Sequence, residues 1–170
     1  MVPGGGGRQG GIRGGRPRLL GPRKIDPASA SQAPKKAAPS KKRVLFVCIG
    51  NSCRSQMAEA FARAYGSDII LARSAGISPS MIIQPLTTQV LAERNVSVDG
   101  QFPKGMEIAR DEPFDLVVNM SGVPMPFPGA RVVSWTVPDP IGREETVYRA
   151  VASQIEALVM QLILELRSGS

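Results

Sequence analysis

Cys48 and Arg54 are separated by five residues, Ile49, Gly50, Asn51, Ser52 and Cys53, and Ser55 follows directly. A thiolate is the nucleophilic form of cysteine, and a guanidinium offers a planar fork that matches two oxyanion oxygens. A loop curling between Cys48 and Arg54 places both groups on one bound anion. The chemistry this predicts is attack by Cys48 on the centre of an oxyanion that Arg54 and the loop amides hold. The plain alternative for Cys48 is a buried thiol at a strand end, a frequent fate of free cysteine. Spacing, polar loop and context together favour the nucleophile.

The elements around this loop are the ones that would position it. Residues 44–48 form a continuous apolar run, read as a buried strand. After the loop, Met57, Ala58, Phe61 and Tyr65 fall on one face of a helix that Gly66 should stop. A helix start presents N–H groups without intrahelical partners at the positive end of its dipole, so strand, tight loop and helix together bind phosphate. Residues 69–72 read as a second strand, with residues 74–77 in the loop after it. A helix is expected over 85–94, with Leu86, Val90 and Leu91 inward, and a short one over 106–110. Residues 114–120 and 131–135 read as third and fourth strands, separated by a proline-rich loop. From 144 to 167 the spacing of Val147, Val151, Ile155, Leu158, Leu162 and Leu166 predicts a long final helix. The fold class that follows is α/β: a doubly wound, four-stranded parallel sheet with helices on both faces. Its phosphate-binding loop comes after the first strand, at the carboxyl edge.

The same edge should carry Asp139. It follows the fourth strand between Pro138 and Pro140, which stiffen the loop. Taken alone, such a tripeptide ordinarily marks a turn. The chain contains no histidine, so Asp or Glu must move protons near neutral pH.

Residues 48–55 resemble the phosphate-binding loop of the low-molecular-weight protein tyrosine phosphatases and of the arsenate reductases that share their fold. The likeness extends more loosely to Leu166. It implies a nucleophilic role for Cys48 and an oxyanion role for Arg54, with Ile49, Gly50, Asn51, Ser52, Cys53 and Ser55 around the substrate. It also implies that Asn51, Ser55 and Ser74 shape the loop and assist the thiolate. Asp139 matches the general acid that this family keeps in an Asp-Pro pair before the last helix. Glu59, one helical turn beyond Ser55, reads as structural, either an exposed helix residue or a loop support, while in the reductase branch the matching Glu and an Asn belong to a potassium site. Lys104 stands where that site has a carboxylate, so an internal ammonium is expected to replace the ion.

The departures from the family bear on the branch. Gln56 stands where phosphatases usually have proline, which is a reductase trait. Thioredoxin-coupled reductases, however, carry two further cysteines in and near the loop after the third strand, and residues 119–128 contain none. Phosphatases often place two tyrosines after the Asp-Pro, where this chain has Ile141 and Gly142. The expected function is cysteine-dependent phosphomonoester hydrolysis on a phosphorylated protein or small phosphomonoester. The same-class alternative is arsenate reduction with an external thiol as partner, and the different-class alternative is non-catalytic oxyanion or phosphoprotein binding. No cofactor and no metal are called for. Cys53 is either a small thiol filling space at the helix start or the partner of a peroxide-driven disulfide with Cys48.

Charge divides the chain. Residues 1–43 hold eleven Lys or Arg and one acid, Asp26, while the remainder is slightly acidic. Glycine runs and Pro/Ala-rich sequence fill residues 1–42, too apolar-poor to offset ordering entropy, so this basic segment is expected to be disordered. Residues 43–168 are expected to form the domain. No aromatic is interleaved among the tail's charges, so no specific nucleic-acid partner is expected. Two cysteines without histidine argue against structural zinc and against a disulfide scaffold, which suggests the cytoplasm. No apolar run is read as long enough for a membrane span.

Overall fold

The computed structural model describes residues 40–169, so most of the basic segment, and the disorder expected of it, lies outside the described residues. The apolar run lies within strand β1 (Lys42–Cys48), and its side chains alternate between the two faces of the sheet. Val44, Phe46 and Cys48 enter the larger core; Leu45 and Val47 enter a smaller one on the opposite face. A strand apolar on both faces has to be covered on both, and β1 accordingly lies inside the sheet. It pairs in parallel with β2 (Ile70–Gly76) on one side and with β3 (Leu116–Asn119) on the other. β4 (Arg131–Ser134) pairs in parallel with β3, giving the order β2-β1-β3-β4.

Parallel neighbours require crossovers. Helix α1 (Arg54–Gly66) joins β1 to β2, and α2 (Pro85–Ala92) and α3 (Ile108–Asp111) lie between β2 and β3. α4 (Glu145–Arg167) closes the chain. α1, α2 and α4 build the larger core with Val44, Phe46 and Val118. Among the described residues, the other face is covered by the segment around the single turn of α3 and by the proline-rich loop, through Met106, Ile108, Met125 and Phe127.

Three expectations change in detail. β2 runs to Gly76, because its parallel register with β1 continues as far as Cys48↔Gly76. Ser74, Ala75 and Gly76 therefore belong to the strand and not to the loop after it. α4 buries Tyr148, Ala152, Val159 and Ile163 together with Val151, Ile155 and Leu162, a broader stripe than predicted, and leaves Val147, Leu158 and Leu166 partly exposed. By length and composition α4 also passes as a membrane span, contrary to the sequence reading, but in this fold its apolar stripe is spent on the core.

Candidate active site

β1 ends at Cys48 and α1 begins at Arg54, so the loop is held between two rigid elements. No side chain caps the start of α1. The loop carbonyls are instead taken by a second layer. Ile77, Ser78 and Ser80 donate backbone N–H groups to the carbonyls of Cys48, Ile49 and Gly50 at 3.1, 2.9 and 2.8 Å. The Gln84 N–H and the Thr87 hydroxyl both donate to the Ser52 carbonyl, and Gln56 Nε2 donates to that of Asn51. With these carbonyls engaged, the N–H groups of Gly50, Ser52 and Cys53 have no protein acceptor among the described residues. Free donors on a curled loop at a helix start form an anion cradle.

Gly76 makes the close approach of loop and strand feasible. A Cβ there would sit 2.7 Å from the Ile49 carbonyl oxygen and 2.9 Å from the Asn51 backbone nitrogen. Asn51 itself adopts a left-handed conformation, with φ 49°, which asparagine tolerates better than most residues.

The sulfur of Cys48 lies 2.8 Å from the Ser55 hydroxyl and accepts the Asn51 backbone N–H at 3.3 Å. Asn51 Nδ2 donates to the Ser55 oxygen at 2.7 Å, which leaves the Ser55 proton available to Cys48. The Lys104 backbone N–H, a donor only, reaches Asn51 Oδ1 at 2.9 Å and so fixes which way the amide faces. The Ser55 hydroxyl and the Asn51 N–H are thus the two groups held against the sulfur, and the other donors fix how they face it. Ser74 does not join them: its hydroxyl accepts from the Lys104 ammonium at 3.4 Å.

Arg54 is nearly buried and is aimed by two carbonyls. Its Nη1 donates to Met120 at 2.6 Å and to Val137 at 3.2 Å, so the residue after β3 and the loop after β4 orient it. Its Nη2 lies 3.4 Å from Asp139 Oδ2. Cys48, Arg54 and Asp139 line one pocket of about 190 Å³ together with Ile49, Gly50, Ser52 and Cys53. Asn51 and Ser55, placed around the substrate by the sequence reading, are fully buried behind that pocket and act on the sulfur. Ser78, Ser80 and Ile141 complete the wall.

Cys53 lines the same pocket, and its sulfur also meets the Tyr148 hydroxyl at 3.6 Å. Burial pushes its thiol up, against weaker opposition from Thr87, Tyr148 and Ser52. Glu59, also fully buried, lies one helical turn after Ser55. Burial pushes its carboxyl up, while Lys104, Arg63 and Arg73 pull it back.

The sequence reading passed over Gly76, Ser78, Ser80 and Thr87 as braces of the loop, and it treated Gln56 only as a mark of the branch. Gln56 is a buried tie: its Nε2 reaches the Asn51 carbonyl, Asn51 Oδ1 and the Phe102 carbonyl, each at 3.0 Å.

Comparison with known proteins bears on the fold and the family. Residues 43–124 match the family described as low molecular weight phosphotyrosine protein phosphatase. The chain is 32% identical over 130 residues to a glutaredoxin arsenate reductase of Synechocystis sp., covering 74% of this chain and 98% of that protein. An arsenate reductase solved in its phosphate-binding state superposes with a TM-score of 0.66 at 32% identity, over 73% of this chain and 98% of the other. The low molecular weight protein tyrosine phosphatase from T. tengcongensis does so with a TM-score of 0.62 at 27% identity, over 74% and 99%. The chain belongs to the low molecular weight phosphotyrosine protein phosphatase family, whose members include arsenate reductases.

Proposed function

We propose that the protein is a cysteine-dependent phosphomonoester hydrolase of the protein-tyrosine-phosphatase type. Cys48 attacks phosphorus while the bond to the leaving oxygen breaks, and Asp139 gives that oxygen its proton. Arg54 and the loop N–H groups hold the three equatorial oxygens as charge shifts. Asp139 then takes a proton from water, which displaces the Cys48 sulfur and releases phosphate. The observation that supports this most is that Cys48, Arg54 and Asp139 line one small pocket. A binding module would need neither nucleophile nor acid.

The relatives support a second reading, arsenate reduction. The chain has only two cysteines, and the loop after β3 has none, so an external thiol would have to act. It would attack the sulfur of a Cys48–arsenic adduct, releasing arsenite and leaving a mixed disulfide for a second thiol to reduce. Parallel assays decide between the two. Hydrolysis of p-nitrophenyl phosphate with no thiol-dependent arsenate reduction supports the first reading, and the reverse result overturns it.

A further inference from the structure

Both carboxylate oxygens of Glu59 lack a hydrogen-bond partner among the described residues, and the side chain is 1% exposed. A bare buried carboxylate requires positive charge beside it. The resemblance assigns this region to a potassium ion, yet the residues present do not fit one. The Lys104 ammonium already stands 3.8 Å from Glu59 Oε1, 3.4 Å from the Ser74 hydroxyl and 3.3 Å from the Phe102 carbonyl. Arg63 reaches the same Glu59 oxygen from its own helix at 3.6 Å. Asn51 Oδ1, a further oxygen of the region, accepts from Gln56 and from the Lys104 backbone. A monovalent ion would lose these oxygens and meet an ammonium at close range.

We propose that Lys104 is a positioning residue for the nucleophile, its ammonium standing in a structural cation's place so that the loop needs no monovalent ion. The coupling runs through bonds already described. The ammonium anchors residue 104 to Glu59 and Ser74, and the backbone N–H of the same residue orients Asn51. Asn51 orients Ser55, and Ser55 faces the sulfur of Cys48. The inference rests on Cys48 as the nucleophile of the proposed function and is indifferent to which oxyanion it attacks.

The test is the rate of Cys48 alkylation by iodoacetamide, with melting temperature, on the full chain in potassium chloride and in choline chloride of equal ionic strength. Wild type should behave alike in both salts. Lys104→Ala should react roughly tenfold more slowly in choline, the scale on which an outer supporting partner acts, and recover in part in potassium. Lys104→Arg should stay near wild type. If Lys104→Ala does not fold, Lys104→Gln takes its place. A wild type that speeds up or gains stability in potassium overturns the inference, as does a variant as reactive as wild type or one that potassium leaves slow. Wild-type Cys48 inert to iodoacetamide would overturn the nucleophile itself, a failure distinct from the others.

Discussion

Arg54 and Asp139 face each other at the mouth of the pocket, with Nη2 3.4 Å from Oδ2, the guanidinium nearly buried and the carboxylate 42% exposed. The anchored partner is the cation, tied to two carbonyls; the freer one is the acid. In the mechanism proposed above, an oxyanion arriving at Arg54 would compete with Asp139 for the guanidinium and free the carboxyl to serve the leaving group. The contact is half-solvated, so its loss costs little stability.

Asp139→Asn separates these roles. Hydrolysis of an alkyl phosphate should fall about 100-fold or more, the scale of a lost general acid, while p-nitrophenyl phosphate should fall far less because its phenolate leaves without a proton. Equal losses on both substrates would mean that Asp139 serves only to hold Arg54.

Cys48→Ser keeps the cradle and removes the nucleophile. Turnover should vanish while phosphate binding, measured by calorimetry, persists. In Arg54→Ala both should weaken, since the guanidinium contacts ground and transition states alike. Substantial residual hydrolysis by Cys48→Ser would refute the covalent route.

Gly76→Ala tests the fit of loop against strand. The added carbon meets backbone atoms at 2.7 and 2.9 Å, which cannot swing aside as a side-chain tip would. Overpacking of this kind costs about 1–3 kcal/mol, and activity should fall with stability because the displaced atoms belong to the loop. A variant with unchanged melting temperature and kinetics would show that the loop has slack.

Cys53 and Tyr148 make stability depend on alkaline pH. Burial is the main reason that each is pushed up, so both prefer to stay neutral in the folded state. An acid whose folded value lies above its unfolded one stabilises fully below the unfolded value, and that contribution is lost as pH rises through the folded one. The ordinary thiol value is 9.0, so melting temperature should decline above that pH. Tyr148→Phe should flatten the decline; a slope identical to wild type would place its cause elsewhere.

Mild peroxide should oxidise Cys48 to sulfenic acid, which Cys53 from the same pocket wall can trap as a disulfide with loss of water. Activity should return with dithiothreitol in wild type and stay lost in Cys53→Ser. Equal recovery in both would leave Cys53 as packing against Tyr148.

The strand–loop–helix placement of the candidate site is legible because each part carries its own local mark: an apolar run, a helical face, and small polar residues between cysteine and arginine. Asp139 is legible once the sheet edge is known, since two prolines isolate it. The braces are not. Ile77 and Ser78 act through backbone N–H groups, which every residue but proline owns, and Thr87 reaches a carbonyl 35 positions away. The end of β2 is misread for a related reason: Arg73 and Ser74 interrupt its apolar pattern because their side chains serve Glu112 and Lys104. Ser74 follows from the same fact, drawn to Lys104 where the family likeness points it at the thiolate. In each case the physical demand comes from across the fold, and residue type alone does not announce it.

The carbonyl ties from residues 77–87 also bear on selectivity. A cradle whose donors are aimed before any guest arrives spends nothing on rearrangement, so it cannot reward one tetrahedral anion with a closure that it denies another. Phosphate, arsenate and vanadate should therefore compete for it, and the reaction's own product should inhibit. Discrimination has to come after docking, from which central atom accepts a sulfur and which oxygen departs.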